Sequence, residues 1–215
     1  MVGYLPHCTF NLNSRAASID TPLHSSLPYA HVDHMHPDAV IAIAAMANSE
    51  AITKQVFEGT VGWMPWLRPG YELGQQLAAY DRAHPGLRGI VLGGHGLFSW
   101  GDTAQNCYEN TVDLIHRAQT WLASERQRRC LKVFGGAVVQ TLPEQLREAT
   151  LARVLPVLRG LSSEGGSKLL HVNTSAEVME FVNSQDLLPL AALGTSCPDH
   201  FLRTKVKPMV LDLAP

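Results

Sequence analysis

The sequence lacks the features that mark membrane-bound and exported proteins. The longest uninterrupted apolar run of the 215-residue chain extends only from Ala39 to Ala47, whereas a membrane-spanning helix needs about 20 apolar residues. The N-terminal segment MVGYLPHCTF has no basic start followed by an apolar stretch, so the sequence predicts no signal peptide. We therefore expect a cytoplasmic protein without a membrane partner.

Charge and cysteine are also sparse. The formal net charge is −2 and no basic stripe is visible, which argues against a nucleic acid or an anionic membrane as partner. The four cysteines are scattered without a C-x-x-C pair, as expected for free thiols in a reducing compartment; they are Cys8, Cys107, Cys130 and Cys197. No G-x-G-x-x-G motif for dinucleotide binding is present. Hydrophobic residues make up 46% of the chain, enough for a sizeable core.

Histidine, in contrast, is abundant, with ten residues. Two of them form the pair His34-Met35-His36, and a third, His95, stands in the glycine-rich run Gly93–Gly96. Side chains alternate along an extended segment, so both rings of a His-x-His pair lie on one face and can bind one ion. Three imidazoles with an open fourth position are typical of catalytic zinc. The sequence therefore predicts a catalytic metal site at these three histidines.

Periodicity and glycine or proline punctuation predict an α/β protein after an irregular N-terminal segment, 1–30. The first part should contain extended segments at 31–36 and 60–67, helices at 39–47, 49–57 and 71–83, and a hairpin of 87–92 with 97–100. A long helix should run from Asp102 or Thr103 to Arg129. The second part should contain helices at 143–159 and 175–183, a strand at 168–172 and a strand-like end at 208–213. We place the domains at 1–136 and 137–215, with a soft boundary near 137–165.

Two longer motifs resemble the class II aldolase/adducin family. These are HVDHMHPDAVIAIAA and GIVLGGHGLFSWGDTAQNCYENTVDLIHRA, and the resemblance covers about residues 15–125. More narrowly, three segments resemble the aldolase part of bifunctional rhamnulose-1-phosphate aldolase/short-chain dehydrogenase proteins: SIDTPLHSSLP, HVDHMHPDAVIA and GTSCPDHFLRTK. The resemblance implies a mainly antiparallel sheet flanked by helices. It also implies a homo-oligomer, often a tetramer, with a dehydrogenase as a further partner.

Carried over residue by residue, the resemblance implies that His34, His36 and His95 hold zinc. The acid–base residue of the family is a Glu four positions before a His, and the matching position here is Asp20, before His24. Aspartate is one methylene shorter, so its carboxylate would reach about 1 Å less far. We also considered His24, His31 and Asp33 as residues that support the ligands or bind substrate. Alternation places Asp33 on the face opposite His34, so it would need a local bend to reach the metal.

The implied activity is cleavage of a ketose 1-phosphate, such as rhamnulose 1-phosphate, to dihydroxyacetone phosphate and an aldehyde. Zn²⁺ is the expected ion, with Co²⁺, Mn²⁺ and Fe²⁺ as alternatives. Residues 1–19 contain neither of the Gly/Ser-rich loops that bind the substrate phosphate in the family, which predicts an N-terminally truncated relative. Two other functions stay open: a decarboxylase or epimerase with the same metal site, and a non-catalytic assembly module as in adducin. In the tail, a Cys197–His200 nucleophile pair is a weaker alternative than a docking or oligomer contact.

Overall fold

A computed structural model describes residues 2–11 and 17–211. Its first unit comprises Met1–Arg129 and Thr195–Val206, and its second comprises Cys130–Gly194 and Lys207–Pro215. Within the described ranges, no helix is both long and apolar enough to cross a bilayer.

The first unit is an α/β structure with four strands and six α-helices in its described residues. The strands are β1 His31–Met35, β2 Val61–Met64, β3 Gly89–Leu92 and β4 Gly96–Gly101. The helices are α1 Thr21–Ser26, α2 Asp38–Ala44, α3 Ser49–Phe57, α4 Tyr71–Ala83, α5 Ala104–Arg129 and, in the returning C-terminal segment, α9 Pro198–Arg203. A 3₁₀ segment, Val2–Cys8, precedes them. The N-terminal 30 residues thus contain α1 and this segment, where irregular structure was predicted.

The four strands form one mixed sheet in the order β1-β4-β3-β2. The predicted hairpin is confirmed, because β3 pairs antiparallel with β4 across residues 93–95, and β4 pairs antiparallel with β1. The expectation of a mainly antiparallel sheet needs correction, because β2 and β3 are parallel. The reason is the connection between them: α4 carries the chain back across the sheet, and such a crossover joins parallel strands.

Both faces of this sheet are covered by helices, which explains why β3 is buried at every position. Helices α2, α3 and α5 pack on one face, in a cluster that contains Val91 and Leu97 of the sheet. Helices α1 and α4 pack on the other face, against Ile90, Leu92 and Phe98. Alternation along β4 therefore sends Leu97 and Phe98 to opposite faces, and the same alternation in β1 decides where its histidines lie.

The second unit is helical and little buried in its described part. It contains the 3₁₀ segment Val133–Gly135 and the helices α6 Glu144–Ser162, α7 Ala176–Val182 and α8 Leu187–Leu193. The strand predicted at 168–172 is wrong, because this stretch has no ladder partner among the described residues and Leu169 is almost fully exposed. The strand-like end is also wrong for 208–211, which pairs with no other described segment. Residues 212–213 lie outside the described residues.

Candidate metal centre

His34 lies in the middle of β1, opposite Phe98 of β4. Its ring stacks on the Phe98 ring, with centroids 4.0 Å apart and planes 10° apart. Its Nδ1 is 3.0 Å from the carbonyl oxygen of Leu97. A carbonyl oxygen only accepts, so Nδ1 carries the proton and Nε2 keeps a lone pair. The sheet itself therefore fixes both the direction and the tautomer of this ring.

His36 follows β1 directly and precedes Pro37, which keeps it extended. Its Nε2 is 3.1 Å from Nε2 of His34. Its Nδ1 is 2.6 Å from Oδ2 of Asp199, and since a carboxylate accepts, Nδ1 again carries the proton. Gly96 leaves room for the ring, because a Cβ at that position would lie 2.4 Å from Cδ2 of His36. No larger residue at 96 is compatible with this position of the ring.

His95 ends the tight turn between β3 and β4 and is only 2% exposed. Gly94 occupies the left-handed region at φ 60° and donates its N–H to the carbonyl of Ala44 at the end of α2. This bond ties the turn to the helix that covers the sheet. Nε2 of His95 lies 3.2 Å from Nε2 of His34, whereas its Nδ1 is buried and has no hydrogen-bond partner in the part of the chain that the structure describes.

The three Nε2 atoms suit a metal ion in geometry and in chemistry. Nitrogen ligands of a tetrahedral zinc ion, each at about 2.05 Å, lie about 3.3 Å apart, and the two measured separations are 3.1 and 3.2 Å. Burial, together with a smaller effect of the neighbouring His36, lowers the pKa of His34 to about 3 and that of His95 to about 4. Both rings are therefore neutral at pH 7, the state that binds metal.

Asp20 lies immediately before α1, close enough for its negative charge to act on His34. Its Oδ2 accepts a hydrogen bond from Ser18 at 3.3 Å, whereas its Oδ1 is buried and has no partner among residues 2–11 and 17–211. A buried carboxylate oxygen without a donor is costly and is common where a substrate or a proton is to be bound. His24 is near as well: its ring centroid is 6.3 Å from that of His34, and its Nδ1 donates to the carbonyl of Val32 at 3.1 Å.

Two other predicted residues lie away from the three histidines. His31 is exposed at the start of β1. Asp33 points to the opposite face of the sheet, where Oδ2 accepts a hydrogen bond of 2.8 Å from Thr111 of α5. The strand has no bend that would turn this carboxylate toward His34, so the alternation of β1 holds.

Asp199 was not identified from the sequence, although the segment that contains it was. It stands in α9 and is separated from His36 by 163 residues. No spacing rule connects residues so far apart. The predicted boundary also placed Asp199 and His36 in different domains, 137–215 and 1–136. The sequence signal for Asp199 is its position in the segment GTSCPDHFLRTK, which resembles proteins of the family.

The sheet, its helices on both faces and the three converging histidines define an α/β protein with a potential metal site. Residues 7–122 match the family described as class II aldolase and adducin N-terminal domain, and residues 149–215 match the aldolase class II second domain. The chain therefore belongs to the class II aldolase and adducin family.

Two relatives illustrate this membership. The chain is 37% identical over 215 residues to the uncharacterized oxidoreductase YuxG of Bacillus subtilis (strain 168), a match that covers 100% of this chain and 31% of YuxG. The N-terminal class II aldolase domain of a conserved protein from Thermoplasma acidophilum has 30% sequence identity and a TM-score of 0.52, over 56% of this chain and 55% of that one. The chain thus spans about a third of one relative and about half of the other.

Proposed function

We propose that this protein is a zinc-dependent aldolase that cleaves a ketose 1-phosphate, such as rhamnulose 1-phosphate, to dihydroxyacetone phosphate and an aldehyde. The observation that carries the proposal is the convergence of three imidazole nitrogens. Asp20 is close enough for its charge to act on His34, and its Oδ1 is buried without a hydrogen-bond partner among the described residues. Family membership supports the class of reaction. The substrate is inferred from the narrower resemblance of three sequence segments.

The chemistry divides between the ion and the side chains. Bound at the three Nε2 atoms, zinc supplies Lewis-acid stabilisation of negative charge on substrate oxygens. In the cleavage direction, the bond between the α and β carbons of the ketose breaks, and the β-hydroxyl releases its proton to solvent as the aldehyde forms. Asp20 then delivers a proton to the α carbon, which becomes the free hydroxymethyl carbon of dihydroxyacetone phosphate. In the synthetic direction the same carboxylate removes that proton.

The burial of Asp20 Oδ1 suits this role, because a carboxylate with an unoccupied lone pair can accept a substrate proton directly. The family carries a longer Glu at the matching position. We therefore expect Asp20→Glu to raise the rate of aldol cleavage and Asp20→Asn to abolish it, with zinc content unchanged in both. An unchanged or lower rate in Asp20→Glu would remove Asp20 from the acid–base role.

Metal content should be measured first, on protein purified without chelator or nickel resin. We expect about one zinc ion per chain. The loaded protein is then offered ketose 1-phosphates, unphosphorylated ketoses and β-keto acids. Cleavage of phosphorylated ketoses supports the proposal. Turnover restricted to β-keto acids, or epimerisation without cleavage, would assign another activity of the same metal site. Absence of metal after zinc is added back would favour the non-catalytic assembly module.

The proposal also includes an oligomeric state and a protein partner. A homo-oligomer and a dehydrogenase as partner are inferred from the resemblance. The name of YuxG, an oxidoreductase of which this chain matches 31%, is compatible with a dehydrogenase elsewhere in such proteins. Sedimentation of the purified chain tests the oligomer, and co-purification with a nicotinamide-dependent dehydrogenase tests the partner.

A further inference from the structure

The segment Thr195–Val206 returns from the C-terminal part of the chain to the first unit and touches a candidate metal ligand. It carries α9, and Asp199 of this helix accepts the hydrogen bond from Nδ1 of His36 at 2.6 Å. Nothing in the comparisons assigns a role to this segment. We propose that Asp199 is a positioning residue of the metal centre, which orients His36 and strengthens its binding to the ion. This inference rests on the proposed function, because it concerns the same metal site.

The segment is closed on itself and buried at its helix start. The N–H of Thr195 donates to the carbonyl of Val206 at 3.0 Å, which closes the segment into a loop. Cys197, just before α9, is only 4% exposed. The carboxylate of Asp199 is therefore presented from the first turn of a helix whose preceding residue is buried.

The contact has a chemical consequence at the other nitrogen of the ring. Because Asp199 can only accept, it holds the proton of His36 on Nδ1 and leaves the lone pair on Nε2, the atom directed at His34. A carboxylate behind an imidazole also raises its basicity, and thus its strength as a ligand. His34 obtains the same tautomer from the carbonyl of Leu97, which is uncharged. Asp199 is therefore the one charged group that hydrogen-bonds to a ring of the triad within the described residues.

An ordinary surface ion pair is the competing interpretation, and such pairs contribute little. The pair Arg88–Asp113, at 2.8 Å, provides a matched control. Its carboxylate is exposed to nearly the same degree as that of Asp199, 46% against 48%, but its partner is an arginine outside the metal centre. If Asp199 only made a surface pair, its removal would affect zinc binding no more than removal of Asp113.

Zinc affinity of the full chain, measured by competition with a chromophoric chelator, is the first test. We expect Asp199→Ala to bind zinc about 10- to 100-fold more weakly than the wild type, and Asp113→Ala to bind it as the wild type does. Asp199→Asn keeps an oxygen acceptor of the same size and should fall between the wild type and Asp199→Ala. Circular dichroism checks that each variant is folded, and Asp199→Asn serves if Asp199→Ala is not. Equal affinity of the Asp199 variants and Asp113→Ala would overturn the proposal.

The tautomer of His36 in the metal-free protein gives a second readout, which does not depend on zinc. Long-range ¹H–¹⁵N spectra should show His36 protonated on Nδ1 in the wild type and in Asp199→Asn. In Asp199→Ala they should show a mixture of tautomers, and an unchanged ring would contradict the inference. The two proposals can fail separately. A wild type that binds no zinc removes the proposed function, whereas a wild type and Asp199→Ala that bind it equally remove only the role of Asp199.

Discussion

Gly96 is the position at which a single added methyl group should damage the metal centre most directly. A Cβ there would lie 2.4 Å from Cδ2 of His36 and 2.7 Å from the carbonyl oxygen of Met35. Non-bonded carbon atoms normally approach to about 3.5 Å, so the ring of His36 must move by about 1 Å. Metal–nitrogen distances tolerate only about 0.2 Å. Gly96→Ala should therefore remove His36 as an effective ligand.

We expect two measurable losses in Gly96→Ala. Zinc affinity should fall by at least about 10-fold, which is the smaller loss found when a residue that supports a metal ligand is replaced. The free energy of unfolding should fall by about 1–3 kcal/mol, as for other overpacked positions, because the Met35 carbonyl belongs to the backbone and cannot rotate away. Chelator competition measures the first loss, and urea unfolding of the metal-free protein measures the second.

Two control glycines separate the metal effect from a general effect on folding. Gly101 lies at the far end of the same strand, and a Cβ there would lie 2.5 Å from the backbone nitrogen of Cys107. Gly101→Ala should cost similar stability and leave zinc affinity unchanged. An added Cβ at Gly160 of α6 would lie within 4 Å of no described atom beyond its chain neighbours and the backbone of its own helix. Gly160→Ala should therefore lower neither the zinc affinity nor the free energy of unfolding. The prediction is wrong if Gly96→Ala binds zinc as tightly as the wild type does. It is also wrong if Gly101→Ala lowers the zinc affinity as much as Gly96→Ala.

Three further predictions concern the site and its support. His34→Ala should remove zinc while the circular dichroism spectrum stays unchanged; a chain that unfolds when zinc is removed would indicate a structural ion instead. Tyr29→Phe removes the 2.8 Å hydrogen bond to buried Asp81 and should cost about 1–3 kcal/mol at neutral pH. Burial and the bond to Asp81 raise the pKa of Tyr29 to about 12 from an ordinary value of 10.0. This stabilisation is therefore full below pH 10 and is lost as the pH rises toward 12. Urea unfolding of the wild type and of Tyr29→Phe measures it. If their free energies of unfolding differ by the same amount from pH 8 to 12, the prediction is wrong. Leu114→Ala, at a fully buried position of α5, should cost about 2–5 kcal/mol in urea unfolding; a loss no larger than that of an exposed leucine would mean that α5 packs loosely on the sheet.

Local sequence determined the elements that place the three histidines. Alternation in a strand puts His34 and His36 on one face, and three glycines around His95 specify a tight turn. These effects act over a few residues, so the bounds of α3 and α4 and the position of the hairpin were predicted closely. Sequence also indicated Asp20, through its resemblance to a family motif, and in the structure Oδ1 of this half-buried residue has no hydrogen-bond partner among the described residues.

Only the tertiary structure decided which distant segments meet. The parallel pairing of β2 with β3 depends on how α4 crosses the sheet. The strand predicted at 168–172 does not form, because no described strand pairs with this stretch. The contact of Asp199 with His36 joins residues 163 positions apart. Periodicity and capping are set by neighbours along the chain, whereas pairing and long-range hydrogen bonds depend on which buried surfaces fit together. The sequence by itself therefore determined which side chains could bind a metal, and the fold decided which carboxylate lies behind them.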